Sequence, residues 1–274
     1  MALSICGSAC AQQWPARAIR FIVPVPPGGG ADAVARLVAP KLSELLGQQV
    51  VVENRAGGNA TIGADFVAKS PPDGYTWLLG TSQHTVTPSI VKQVPYDIAS
   101  DFAAVTLAVR APQLLTVHPS VPVKTTRDLI ALAKKEPGRL NYGSGGLGSA
   151  SHLAAAVFAS MASVSITHIP YKGVGLAFVD LIGGQLDFAF PAIPSGAPYT
   201  RSGRLCALGV TSLKRHPSIP EIPTIAESAL PGYQVNSWYG VLGPAGTRSD
   251  IVNRINAALT AVLRAPDTRA ALVA

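Results

Sequence analysis

Residues Phe21 to Asp32 read FIVPVPPGGGAD, and no other stretch constrains the fold as tightly. The β-branched apolar run from Ile19 to Val25 stops at two prolines and three glycines, and Ala31 to Val38 then takes up helical spacing. A strand, a glycine turn and a helix in that order leave the first backbone N–H groups of the helix without intrahelical partners, at the positive end of its dipole. An anion suits such a place, and glycine lets it approach the main chain closely. Alone, the stretch is equally compatible with a plain βα turn. A second copy shifts the balance: Leu140-Asn141-Tyr142 leads into Gly143-Ser144-Gly145-Gly146-Leu147-Gly148-Ser149-Ala150-Ser151-His152, followed by the alanine-rich segment Leu153 to Phe158. Two such devices, one in each half of the chain, predict two α/β domains that present helix N-termini to a ligand held between them.

The remaining pattern fits that frame. Helical spacing over 33–46 ends at Gly47, and Val50-Val51-Val52 reads as a strand leading to the polar loop Glu53 to Gly58. A helix over 62–70 stops at Pro71-Pro72-Asp73-Gly74. The strand from Tyr75 to Leu79 opens into a loop of small polar residues, Gly80 to His84, and 105–109 reads as a further strand. The second half repeats the rhythm, with strands expected at 114–117, 140–142, 166–169, 186–190 and 205–210, and helices at 126–135, 153–162 and 176–182. The proline-rich segment 211–232 reads as a connection back to the first domain, which 238–243 and the amphipathic 251–263 complete. The expectation is a discontinuous first domain, 14–110 plus 236–274, with the second inserted at 111–235, each a mostly parallel sheet flanked by helices.

Composition narrows the function. Apolar residues make up 48% of the 274 and aromatics only 6%, so the cores should be aliphatic. The net charge of +7 is scattered, with pairs at Lys134-Lys135 and Lys214-Arg215 but no run that would grip a phosphate backbone, which argues against nucleic acid as a partner. Residues 1–13 read as the remnant of a signal peptide: Met1 to Ala11 is small and apolar, and Ala9-Cys10-Ala11 before Gln12 has the form of a signal-peptidase site, without a basic n-region. Cys6 and Cys10 fall in that leader, leaving Cys206 as a lone thiol expected to be buried in an apolar strand. The sequence stops at Ala274 within a helical pattern, so a C-terminal portion is expected to be missing.

Catalytic and metal signatures are absent: there is no G-x-S-x-G, H-E-x-x-H, G-x-x-x-x-G-K-[ST] or C-x-x-C, and the five histidines lack ligand spacing. No cofactor is expected. His118 and His216 each precede a proline and read as structural, and His168 as a hydrogen-bonded strand residue. His84 and His152 both follow strand-end turns, where ligand contact and capping are equally open. Gly143 to Gly148 satisfies G-x-G-x-x-G, but no Asp or Glu occurs between Ser149 and Val179 to hold a ribose. Tyr171-Lys172 follows the next strand instead and suits an anion, while Ser144, Ser149 and Ser151 add hydroxyl donors, so the turn reads as a carboxylate cradle. Asp32 reads as a cap of its helix and Asp187 as a structural hydrogen-bonder.

Taken together, these stretches resemble the tripartite tricarboxylate transporter substrate-binding proteins, also called Bug proteins. In the first part of the chain the resemblance is carried by IRFIVPVPPGGGAD, VVENRAGGNATIG, PDGYTWLLG and YDIASDFAAV. It continues through VHPSVP, LNYGSGGLGSASHL, ITHIPYKG, LIGGQLD, IPTIAESALPG and WYGVLGPAGT, in order and over nearly the whole chain. The resemblance implies a two-domain periplasmic-binding-protein fold of type II, the Venus-flytrap arrangement. It further implies an exported, periplasmic, monomeric protein that closes on a small carboxylate and serves an ion-driven membrane permease. It places Pro27, Gly28, Gly29, Gly30, Ala31 and Asp32 in one carboxylate-gripping loop, and Ser144, Gly145, Gly148, Ser149, Ser151 and His152 in the other. Thr81, Ser82 and His84 would line the same cleft, joined by Tyr171 and Lys172. Where relatives often carry an aspartate, this chain has Pro191-Ala192-Ile193, which makes Ala192 a position that bears on ligand preference. Relatives also extend past Ala274. Di- and tricarboxylates, acidic amino acids and aromatic acids all remain open as ligands. An enzyme acting on a small carboxylic acid is the principal alternative, opposed by the lack of a nucleophile–base constellation. A ligand-sensing module of a regulator is a third, opposed by the absence of room for a helix-turn-helix before Trp14.

Overall fold

The architecture follows from where glycine and proline stop each apolar run. A computed structural model describes residues 14–273, so the leader expected at 1–13 lies outside the described residues. β1 (Ile19–Val23) ends at Pro24, and α1 (Gly30–Leu46) starts directly after an extended Gly29 and ends at Gly47, whose φ of 70° closes the helix through a bond to the Ser43 carbonyl. β2 (Val50–Asn54), α2 (Thr61–Ala68) and β3 (Thr76–Thr81) follow. The loop expected at 80–84 is instead the end of β3 and the start of α3 (Ser82–Ile90), because the Thr81 N–H donates to Nδ1 of His84 at 2.9 Å and so starts a helix. β4 (Phe102–Pro112) then runs to the second half.

There, β5 (Leu114–Val117) is followed by α4 (Thr126–Lys135), which Thr125 caps by accepting from the Asp128 N–H. β6 (Asn141–Ser144), α5 (Ala150–Ala162), β7 (Thr167–Pro170), α6 (Val174–Ile182), β8 (Phe188–Ala189), α7 (Ile193–Arg201) and β9 (Cys206–Val210) complete the strand–helix alternation. After α8 (Ile225–Ser228), the chain returns as β10 (Asn236–Pro244), α9 (Ser249–Arg264) and α10 (Pro266–Val273).

Two five-stranded sheets result, with orders β2-β1-β3-β10-β4 and β7-β6-β8-β5-β9. Each holds two parallel and two antiparallel pairings, fewer parallel than the alternation alone predicts. The parallel pairs come from strand–helix–strand units. The antiparallel ones arise where the chain changes sheets: β4 passes into β5 through Gln113 alone, and β10 returns between β3 and β4 with Asn236 opposite Pro112. The two crossing segments therefore lie side by side. Thr211 joins them, donating its N–H to the Gln113 carbonyl at 2.9 Å and accepting from the Val235 N–H at 3.1 Å.

Strand alternation distributes the cores. Phe21, Val23, Trp77 and Leu79 face α1 and α9, whereas Ile22 and Leu78 face Ala64, Val67, Tyr96 and Phe102 on the opposite side. In the second sheet Leu115, Val117, Tyr142 and Phe188 pack on α4 and α5, and Ala189 joins Ala177, Leu181 and Leu205 on the other face. The irregular 211–232 segment covers this half: Ile219 and Ile225 are buried, as is Tyr233 just after it, whose hydroxyl donates to the Ala154 carbonyl at 2.9 Å. Cys206 departs from expectation. It opens the edge strand β9 and is exposed while Leu208 is buried, because the register of β9 on β5 shifts between Gly209 and Ala207 and breaks the alternation there.

Phe158 is fully buried against Phe190 and Tyr233, so Phe158→Ala should remove about 3–5 kcal/mol from the unfolding free energy of the second half, read by urea denaturation. A loss below about 1 kcal/mol would mean that this core collapses around the vacancy.

Candidate functional site

Between the two sheets lies a cavity of about 740 Å³. Five helices begin at its wall: α1 at Gly29 to Ala31, α3 at Thr81 to Gln83, α5 at Ser149 to Ser151, α6 at Gly173 to Gly175 and α7 at Ala192. In α1, α6 and α7 the capping residue makes no side-chain hydrogen bond, so the first N–H groups of α1 and α6 keep their donor capacity, while α7, with Pro194 second, offers the Ile193 N–H alone. α5 is furnished differently: Ser149 Oγ accepts from the His152 N–H, and Ser151 Oγ accepts from the Gly145 N–H at 3.1 Å and lies 3.2 Å from Ser149 Oγ. Among the described residues, Lys172 is the only charged side chain on the wall, and no carboxylate reaches it. Pro24, Val25, Pro26, Ala56, Ala111, Pro112 and Phe190 make the rest largely apolar.

Pro27, Gly29, Gly30, Ala31, Thr81, Ser82, Gly145, Ser149, Ser151, Tyr171, Lys172 and Ala192 all line this cavity. Six expected residues do not, and they support the wall from behind. Asp32 is 4% exposed and turns its carboxylate back, accepting from Gly28 N–H at 3.1 Å, Arg36 Nε at 2.9 Å and Asn54 Nδ2 at 2.9 Å. Burial alone pushes the Asp32 carboxyl up, but the bonds from Arg36, Asn54 and Gly28 together hold it below the usual carboxylate value. Gly28 and Gly148, with φ of 85° and 74°, shape their turns rather than the wall.

The two histidines offered as ligand contacts also belong behind the wall. His84 is wholly buried, holding the Thr81 N–H and packing on Tyr96, and burial pushes its imidazole down to about 4. His152 accepts the Gly148 N–H at 3.2 Å and lies against His168, which stacks on Tyr142. Desolvation, then the neighbouring His152, holds His168 near 4. The Oγ of Ser144 lies 2.6 Å from His168 Nε2, a nucleophile–base pair in outline. Ser144 is completely buried, however, and its Oγ also accepts the Gly146 N–H, so the pair braces the glycine turn.

Other wall residues escaped the sequence reading. Asn59 sits in a left-handed turn from Gly57 to Ala60, where Asn59 and Ala60 have φ of 55° and 69°. Gln83 reaches across the cleft and donates from Nε2 to the Leu147 carbonyl at 3.1 Å. Gln113, Ser237 and Tyr239 form part of the wall where the chain crosses between sheets. Asn59 had a local signal in the glycine pair after β2, and Gln83 lies inside the loop Thr81 to His84 that the resemblance set on the cleft, whereas the others had none.

With this geometry in hand, comparisons place the chain among known proteins. A family model described as the tripartite tricarboxylate transporter family receptor matches residues 34–274. Protein BugT of Bordetella pertussis is 39% identical over 248 residues, covering 90% of this chain and 76% of that one. The structure of Rpa4515 of R. palustris with adipate superposes with a TM-score of 0.89 at 40% identity, covering 93% of this chain and 86% of that one. MatC of Rhodopseudomonas palustris with bound malate gives a TM-score of 0.88 at 32% identity, with coverage of 94% and 88%.

The depressed histidines set a pH dependence. A histidine held near 4 in the folded chain and near 6.5 unfolded contributes stability that is complete above about 6.5 and is lost as pH falls toward 4, since the unfolded chain takes up the proton first. Urea unfolding at pH 7 and pH 5 should show this fall, and His84→Gln should flatten it by about 1 kcal/mol per pH unit. An unchanged slope in the variant would remove His84 as a cause.

Proposed function

The chain belongs to the tripartite tricarboxylate transporter receptor family, and from that premise we propose that it captures a small carboxylate in the cavity between its two sheets. It then delivers that ligand, in the periplasm, to an ion-driven membrane permease. The observation that carries this reading is the convergence of five helix N-termini on a wall that, among the described residues, has one cation and no carboxylate.

Magnitudes favour the main chain over the lysine. Lys172 is exposed, and a solvated ion pair contributes about 1 kcal/mol or less. A helix N-terminus contributes up to about 2 kcal/mol in partly buried geometry, and several act together here. Micromolar binding requires about 8 kcal/mol, within reach of such donors plus burial of an apolar spacer against the proline and alanine wall. The adipate and malate held by the two neighbours make a dicarboxylate the first choice. Residues 14–110 with 236–273 would move as one lobe and 111–235 as the other, closing through the paired crossing segments. Turnover is disfavoured, because the one serine–histidine pair near the site is sealed from it.

Gly29 provides a clean test. Its backbone is ordinary for any residue, at φ −89°, and an added Cβ meets no protein atom within 4 Å. Gly29→Val should therefore fold normally yet obstruct the approach to α1. Calorimetric titration with adipate, malate and citrate should show at least one ligand binding the parent protein and an affinity loss of about 100-fold or more in the variant, with Lys172→Ala losing less than about 5-fold. Undiminished affinity in Gly29→Val, or chemical conversion of a bound acid, would overturn the reading.

A further inference from the structure

Gln113 is the sole residue between β4 and β5, so its main chain lies in one of the two segments that join the halves. Its backbone is fixed there: the N–H donates to Thr211 Oγ1 at 2.7 Å, and the carbonyl accepts the Thr211 N–H at 2.9 Å. The residue is only 5% exposed, yet it lines the cavity. A buried carboxamide without partners is costly, so its orientation follows from its neighbours. Oriented to satisfy both of them, Nε2 donates to the Ala150 carbonyl and Oε1 accepts the Ser151 N–H, each at 3.2 Å. These groups are the first turn of α5. Ser237 Oγ, on the returning strand β10, lies 3.4 Å from the same carboxamide. Two residues further along the same face of β10, the Tyr239 hydroxyl stands 2.6 Å from where a Cβ on Gly30 would be.

A polar line thus runs along the cavity floor, from the first turn of α1 through Tyr239, Ser237 and Gln113 to the first turn of α5. We propose that Gln113 is a positioning residue for ligand capture: from the crossing segment it clamps the start of α5 and fixes the direction in which the Ser149 and Ser151 donors face the cavity. The role rests on the carboxylate-binding reading given above. Gln113 acts through α5, and its location ties the aim of those donors to the segment about which the lobes would close.

Two variants and two readouts test this in the full chain. In Gln113→Met, which keeps length and volume, the Ser151 amide loses its acceptor, and its hydrogen exchange, followed by NMR, should accelerate about 10-fold or more without any ligand present. Adipate or malate affinity should fall about 10-fold while the thermal midpoint of the free protein stays within about 2 °C. In Gln113→Glu, the neutral acid reproduces the donor–acceptor pair, whereas the carboxylate repels an anionic ligand. The ratio of variant to parent affinity, which cancels the ligand's own titration, should therefore rise between pH 7.5 and pH 5.5. Unchanged Ser151 exchange in Gln113→Met overturns the proposal even if no acid binds the parent, and parental failure to bind any acid counts against the carboxylate reading alone. Accelerated exchange with undiminished affinity, or a flat ratio in Gln113→Glu, also overturns it.

Discussion

Everything around the cavity depends on backbone N–H groups that the helices themselves cannot satisfy. Each strand–helix unit ends its strand on the same side of its sheet, and the next helix begins there with its donors free. Glycine at the junctions keeps side chains from covering those donors: Gly29 precedes α1 and Gly173 precedes α6 without a capping side chain. Two sheets facing each other across a cleft double the device. The resulting positive potential is built from dipoles fixed by the fold, so little reorganisation is needed when an anion arrives.

Such an arrangement fails if the protein supplies its own anion, and the structure shows how that is avoided. Asp32 is the only carboxylate in the first turn of the helices that start at the wall, and Arg36, Asn54 and the Gly28 N–H hold it on the far side. The same polar residue thereby shapes the glycine turn. His84, His152 and Ser144 serve the neighbouring turns in the same manner, each accepting a backbone N–H and none facing the cavity. Polar side chains behind the wall set geometry, while the wall itself offers the main chain, a few hydroxyls and amides, and one lysine at its edge.

This division explains which parts of the site were legible in the sequence. Gly29, Gly30, Gly145, Ser149 and Ser151 are readable because a glycine–serine turn between a strand and a helix is a local event with a local consequence. His84 and His152 were ambiguous for a physical reason: a polar residue at the third position of a new helix can hold the turn before it or face the ligand, and its neighbours in sequence are the same in both cases. In the structure each accepts a backbone N–H from the turn before its helix, and neither lines the cavity. Gln113, Ser237 and Tyr239 carried no signal, since their importance comes from β10 lying beside β4, a pairing of residues more than a hundred positions apart. The exposed Cys206 and the mixed sheets have a similar origin. Both depend on strand order, which the apolar pattern of a single strand does not encode.

Strand order also bears on how the cavity would open. Because β10 returns directly beside the departing β4, the two connections between halves are adjacent, with Thr211 bonded to both. Two adjacent connections would let the lobes rotate about one line, with both anchored in the first sheet by the pairings of β10 with β3 and β4. Such a rotation would bring the start of α1 toward the starts of α5 and α6. Contacts already span that gap: Gln83 reaches the Leu147 carbonyl, and a Cβ on Gly173 would stand 3.6 Å from Pro26. Neither of these cross-cleft contacts is a charged pair, so on the proposed reading most of the gain on closure would come from an anion shared between helix starts on opposite lobes. On that reading, a cleft built in this way would discriminate first by charge and length, and only then by the side chains at its floor.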